Sequence, residues 1–221
     1  MIYLRYPSPI IFGRGGIEKL PEEVVSFGKS ALIVTGKSSM RKSGILDKVF
    51  DSLSSKGITF YLFDGVEHDP SLATVNRGIK LAREKKPSVV IGIGGGSAID
   101  AAKAIAIVAP KEGYVEDYYW GKKEITAPGL PFIAIPTTSG TGAEITSNAV
   151  LTDTEKKIKK SLRSPFMVAK VAIVDPDLTL SCPPFLTACA GMDALTQAVE
   201  SFISKASNPV TDILALEATG I

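Results

Sequence analysis

Residues 89–107 read VVIGIGGGSAIDAAKAIAI, and this stretch decides the fold. Val89–Ile93 is a continuously apolar run, which suits a strand covered on both faces in a parallel sheet. Gly94, Gly95, Gly96 and Ser97 follow at once, and then an apolar helical pattern whose one cation is Lys103. A helix apolar nearly all round is a buried helix. Three glycines let the backbone approach a ligand closely, with amide groups and a helix N-terminus facing an anion; phosphate is the natural guest. Asp100, in the first turn, can cap free amides or accept a hydrogen bond from a ribose or an amide. The plainer reading is a glycine-rich turn with a capping aspartate. The usual dinucleotide fingerprint is absent. Ser97 stands where its third glycine belongs, and no strand ending in an acid follows about 20 residues later.

Working outward, four more apolar runs read as buried strands: ALIVT at 31–35, TFYLFD at 59–64, PFIAI at 131–135 and VAIVD at 171–175. Between them, 43–57 and 71–86 are amphipathic at helical spacing. Strand alternating with helix is the pattern of an α/β doubly wound parallel sheet. The pattern changes near Ser181. From there to Ile221 no strand candidate occurs, and the chain reads as helices broken at Pro183-Pro184 and Asn208-Pro209. The expected organisation is an α/β domain at 1–180 and the beginning of a helical domain at 181–221. That second part is too short to bury a core of its own. It must pack on the first domain or begin something longer.

Composition narrows the function. The chain has 221 residues, 25 basic and 23 acidic, with net charge +2 and 45% hydrophobic types. That excludes a disordered tail, and the balanced charge argues against a nucleic-acid-binding surface. Two cysteines make no disulfide framework and one histidine makes no histidine cage. Arg5, Pro7 and Pro9 interrupt the opening where a signal peptide needs an apolar stretch, and the run Ala104–Pro110 is far too short to span a bilayer. A cytoplasmic protein without membrane or nucleic-acid partners is expected.

A second loop carries chemistry in PFIAIPTTSGTGAEITSNAV, residues 131–150. After a buried strand come Thr137, Thr138, Ser139 and Thr141, spaced by Gly140 and Gly142. These hydroxyls can bond a phosphate, ribose or carboxamide, although such loops also form ordinary turns. At the end of the first long strand, where NAD-preferring enzymes place a carboxylate, stand Gly36, Lys37, Ser38 and Ser39. A small residue, a cation and two hydroxyls suit the 2′-phosphate of NADP. Weaker features are the run EKKIKK at 155–160, read as a solvated basic face apart from Lys159, and Cys182 and Cys189, read as small buried hydrophobes. His68 reads as a surface turn residue. Tyr118, Tyr119 and Trp120 form either a packed cluster or a pocket wall.

Together GGGSAID (94–100), PTTSGTGAE (136–144), AIVDPDLT (172–179) and GMDALTQAVES (191–201) resemble the iron-containing (group III) alcohol dehydrogenase family, related in fold to glycerol dehydrogenase and dehydroquinate synthase. The match runs from Tyr6 to about Ala218. The resemblance implies an α/β nucleotide-binding domain followed by an all-helical domain, with the active site between them. It implies oxidation of alcohols, or reduction of aldehydes and ketones, with NAD(P) and a divalent metal, iron or zinc. By the same resemblance Gly95, Gly96, Ser97 and Asp100 hold the pyrophosphate and neighbouring groups, and Thr137, Thr138 and Thr141 hold the cofactor from the other loop. Asp69 stands where the family usually has asparagine before proline. Asn148 and Lys159 match cofactor-contacting positions, Leu178 and Thr179 lie beside the nicotinamide-side pocket, and Gly36 replaces the aspartate of NAD-preferring members.

Asp193 matches the first metal ligand, but Gln197 stands where the second, a histidine, belongs, and a neutral amide is a poorer transition-metal ligand. The remaining two ligands of the family lie beyond Ile221, so a truncated, frame-shifted or excised chain is expected. The exposed apolar surface that such a chain leaves favours a homo-oligomer. Two alternatives stand beside the dehydrogenase: a non-catalytic nucleotide-binding remnant, and a lyase of the dehydroquinate synthase type.

Overall fold

The computed structural model describes residues 9–221. The segment carrying Arg5, Tyr6 and Pro7, on which the signal-peptide argument and the start of the family match partly rest, lies outside the described residues. In chain order the elements are β1 (Ile10–Phe12), α1 (Leu20–Phe27), β2 (Ser30–Gly36), α2 (Ser39–Lys42), α3 (Ile45–Ser55), β3 (Thr59–Val66), α4 (Leu72–Lys85), β4 (Val89–Gly94), α5 (Gly96–Val108) and α6 (Val115–Tyr119). There follow β5 (Phe132–Pro136), β6 (Asn148–Asp153), β7 (Ile158–Arg163), β8 (Val171–Val174), α7 (Pro184–Ile203) and α8 (Pro209–Gly220). All five strands read from the sequence are present, and so are the two amphipathic helices.

Six strands form one parallel sheet in the order β1-β8-β5-β4-β2-β3. Alternation along each strand sends side chains to two cores. Leu32, Val34, Val90, Phe132 and Ala134 pack on one face with α4 and α5. Ala31, Ile33, Ile91, Ile93, Ile133 and Ile173 pack on the other with Leu20 and Val24 of α1 and Val49 and Leu53 of α3. Burial on both faces is why these strands carry uninterrupted apolar runs. Gly92 makes the central contact possible: a Cβ there would sit 2.8 Å from the Ala102 Cβ and 3.4 Å from the Ile99 Cα of α5. Any side chain would lift α5 off β4.

Three strands were not foreseen: the short edge strand β1 and the pair β6 and β7. β6 and β7 form an antiparallel hairpin outside the main sheet, in register Asn148↔Arg163 to Asp153↔Ile158. The run 155–160 therefore turns this hairpin and begins β7. It is more than a solvated face, since Lys156 lies 3.9 Å over the Trp120 ring and Lys160 4.7 Å over that of Tyr119. The Tyr119 hydroxyl donates to the carbonyls of Leu151 and Ile158, and Trp120 Nε1 donates to Asp153. Tyr119 and Trp120 thus brace the hairpin, while the Tyr118 hydroxyl donates to the Glu112 carbonyl.

After β8 and a 3-10 turn at Pro176–Thr179, only helices follow. α7 and α8 pack on each other, but Phe185, Met192, Ile203, Ile213, Leu216 and others stay exposed. The reading of the cysteines is corrected here: Cys189, on an uncovered face of α7, is exposed, and Cys182, in the turn before α7, is half-buried. No helix among the described residues is long and apolar enough to cross a membrane.

Candidate functional site

From β2 the chain continues to β3 on one side, and from β4 it continues to β5 on the other. Open parallel sheets bind ligands at such a switch point, in the crevice beyond the carboxyl ends of the strands. Here β2 ends at Gly36 and β4 at Gly94, and both line a cleft of about 810 Å³. Its floor is the N-terminal turn of α5. The walls are the β2–α2 turn, the β3–α4 connection, the loop after β5, the hairpin and α7.

The glycines form a cradle. Gly94 takes a φ of +142°, outside the range of ordinary side chains, to swing the chain from strand into helix. A Cβ on Gly96 would come within 2.9 Å of the Thr141 Cγ2, and one on Gly95 would reach Thr138 at 3.5 Å. The two loops recognised in the sequence therefore face each other, and at Gly96 the gap between them is one only glycine leaves open. With no side chain between, the amides at the start of the thirteen-residue α5 are accessible to an anion.

Gly36, Lys37, Ser38, Asp69, Gly95, Gly96, Ser97, Asp100, Thr138, Thr141, Asn148, Lys159, Asp193 and Gln197 all line this cleft. Three residues expected there do not. Thr137 is buried, and its amide donates to the Gly94 carbonyl, which ties β5 to β4 beneath the loop. The Thr179 hydroxyl bonds the Pro176 carbonyl within its own 3-10 turn, and Leu178 belongs to the core.

Behind the floor lies a buried ion pair. Lys103 is 1% exposed, and its Nζ donates to the carbonyls of Ala143 (2.7 Å), Asn148 (2.7 Å) and Thr146 (3.1 Å) and to the Thr146 hydroxyl (3.0 Å). Asp100 Oδ1 lies 3.6 Å away. Burial, partly offset by Asp100, pushes the Lys103 ammonium down to about 8. Burial likewise raises the Asp100 carboxyl against the pull of Lys103 and of the Val150 amide, which donates to it at 2.9 Å. This pair pins the 143–150 segment, and with it Asn148, to α5.

Glu67 was not singled out in the sequence. Burial opposes its ionisation, but bonds from the Ser71 amide and the Thr74 hydroxyl win and hold its carboxyl at about 2. The signal was the spacing of an acid four residues before a helix N-cap serine, with threonine three further on. Lys103 was visible as the cation of an apolar helix, but not its acceptors, which lie 40 to 45 residues away.

The metal expectation fares differently. Asp193 and Gln197, one turn apart on α7, both reach the cleft, and Gln197 Nε2 donates to the Gly140 carbonyl at 3.2 Å. Among the described residues no three His, Cys, Asp or Glu side chains stand close enough to hold a metal. One carboxylate and one amide do not make the roughly four-ligand set of a zinc centre or satisfy an imidazole-preferring iron. The described residues do not fit a metal centre.

Comparison with known proteins agrees with this architecture. The chain is 40% identical to a choline dehydrogenase of Bacillus subtilis over 96% of its own length and 53% of that protein's. It is 41% identical to an NADPH-dependent butanol dehydrogenase of Clostridium saccharobutylicum, over 99% and 56%. The crystal structure of an NADH-dependent butanol dehydrogenase A from Thermotoga maritima superposes with a TM-score of 0.92 at 34% identity, covering 99% of this chain and 55% of that one. The chain thus spans about half the length of the relatives it matches. The family description that matches, over residues 7–176, is that of the iron-containing alcohol dehydrogenases, and to that family this chain belongs.

Proposed function

We propose that this chain is the cofactor-binding part of an NAD(P)-dependent alcohol dehydrogenase or aldehyde reductase, with NADP favoured, acting on a small alcohol or aldehyde. The observation that carries the reading is the glycine cradle at the switch point, faced by hydroxyls from a second loop. In this reading Gly95, Gly96 and Ser97 bind the pyrophosphate, Thr138 and Thr141 orient it from the opposite loop, and Asn148 and Lys159 contact it from the hairpin. Asp100 acts through Val150, which it holds in place. Gly36, Lys37 and Ser38 take the adenosine end, where a cation and a hydroxyl favour a 2′-phosphate. The bound cofactor supplies the hydride chemistry, and the protein supplies binding and orientation. The exposed apolar side chains of α7 and α8 support a homo-oligomer, and a cytoplasmic setting suits the cofactor.

The test is a fluorescence titration of the chain with NADPH and, in parallel, NADH. Saturable binding with NADPH tighter is expected, and no binding of either refutes the reading. A second reading, nucleotide binding without turnover, is favoured by the single carboxylate that α7 brings to the cleft. It predicts the same titration with no oxidation of alcohols when iron or zinc is added.

A further inference from the structure

Across the mouth of the cleft, Lys159 Nζ on β7 lies 2.7 Å from Asp69 Oδ1 in the β3–α4 connection. The two residues are 90 positions apart, and both line the cleft. Asp69 holds a left-handed backbone, φ +54°, which few residues other than glycine, asparagine and aspartate adopt readily. Its amide donates to Ser97 Oγ at 3.2 Å. The carboxylate is therefore tethered at the rim of the glycine cradle, beside the α5 N-terminus where an anion is favoured.

We propose that Asp69 is an internal competitor for Lys159, so that an anionic nucleotide must take the ammonium from this carboxylate to bind. Asp69 thereby sets affinity and selectivity among ligands by their negative charge. The inference rests on the nucleotide reading above and goes beyond it.

The backbone decides how the exchange happens. Lys159 pairs with Thr152 within the hairpin, and β6 is itself tied down: Thr152 N donates to the Pro70 carbonyl and Val150 N to Asp100. The hairpin is thus held on both sides of the cleft, and the exchange is a swing of the Lys159 side chain. Neighbouring charges do not replace either partner. Glu67 is committed to Ser71 and Thr74, and Asp100 to Val150 and Lys103. His68 Nδ1 stands 3.5 Å from Asp69 Oδ2 on an exposed side chain, and Lys37 lies on the wall of the β2–α2 turn. The Lys159 bond, the largest influence, holds the Asp69 carboxyl below the usual carboxylate range.

The experiment compares wild type, Asp69→Asn, Lys159→Met and the double variant, titrated with NADPH and with inorganic pyrophosphate at low ionic strength. Asparagine keeps the left-handed backbone and the amide to Ser97, so the fold is preserved. Asp69→Asn is expected to tighten both ligands by about three- to tenfold, as for removal of one nearby like charge in a solvated site, and the gain should shrink with added salt. Lys159→Met should weaken the Asp69→Asn protein more than the wild type. Independently of any ligand, Lys159→Met should raise the Asp69 carboxyl pKa read by NMR. Equal or weaker binding by Asp69→Asn, or an Asp69 titration that ignores Lys159→Met, overturns the exchange while leaving the cofactor reading intact. Absence of binding by every form overturns both.

Discussion

Replacing Lys103 with methionine keeps the length and most of the volume of the buried stem while deleting the charge and three donors. Left behind are the carbonyls of Ala143, Thr146 and Asn148, which Lys103 now bonds at 2.7 to 3.1 Å. Asp100, whose counter-charge at 3.6 Å would be gone, is left as well. A buried group stripped of its partner costs about 1–3 kcal/mol, and breaking a buried ion pair from one side about 3–5 kcal/mol. These overlap, because Asp100 takes up a proton more readily once Lys103 is neutral and because water enters the polar 143–148 segment. A net loss of about 3–5 kcal/mol is expected, against a total stability of order 5–15 kcal/mol for a protein domain. Urea unfolding followed by circular dichroism measures it. The amides of Val150 and Thr152 should lose hydrogen-exchange protection ahead of β4 and β5, since only the former depend on this clamp. Adding Asp100→Asn to Lys103→Met should recover part of the loss by removing the orphaned charge. A loss below about 1 kcal/mol, or a double variant no better than the single one, would refute the reasoning.

Two further perturbations probe other walls of the cleft. Because the folded Glu67 carboxyl sits at about 2 and its ordinary value is 4.5, its contribution is present above pH 4.5 and is lost as pH falls from there toward 2. Glu67→Gln should therefore flatten that acid limb in melting experiments, and parallel losses in the two proteins would contradict the assignment. At Gly140 a Cβ would stand 2.5 Å from the Ala190 carbonyl oxygen and 3.0 Å from its carbon, backbone atoms that cannot rotate away. Gly140→Ala should push α7 off the loop at a cost of about 1–3 kcal/mol and break the Gln197 bond. Faster hydrogen exchange along α7 checks this, and unchanged protection there counts against it.

How much of this was legible beforehand follows from the range of the forces involved. β2, β4, β5 and β8 announced themselves because burial on both faces demands continuous apolar runs, a property of neighbours in the chain. The cradle was legible for the same reason, since Gly94–Gly96 and Ser97 join one strand to one helix. The hairpin was not: Ile158–Arg163 is half charged, and its strand character comes from pairing with β6 and from the rings of Tyr119 and Trp120. Nor could one sequence separate Thr137 from Thr138. Adjacent residues leaving a strand point to opposite sides, and only the packed sheet decides which side holds the cleft.

By itself, then, the sequence determined the alternation of strand and helix, the two polar loops and the change to helices near Ser181, because periodicity and glycine placement act over a few residues. Only the tertiary structure decided that Lys103 clamps residues 143–148, that Asp69 holds Lys159 and that Asp193 has too few companions for a metal. Each of those depends on partners brought together by sheet order across about 40 residues or more of chain, or on their failure to meet, and no local pattern encodes that distance.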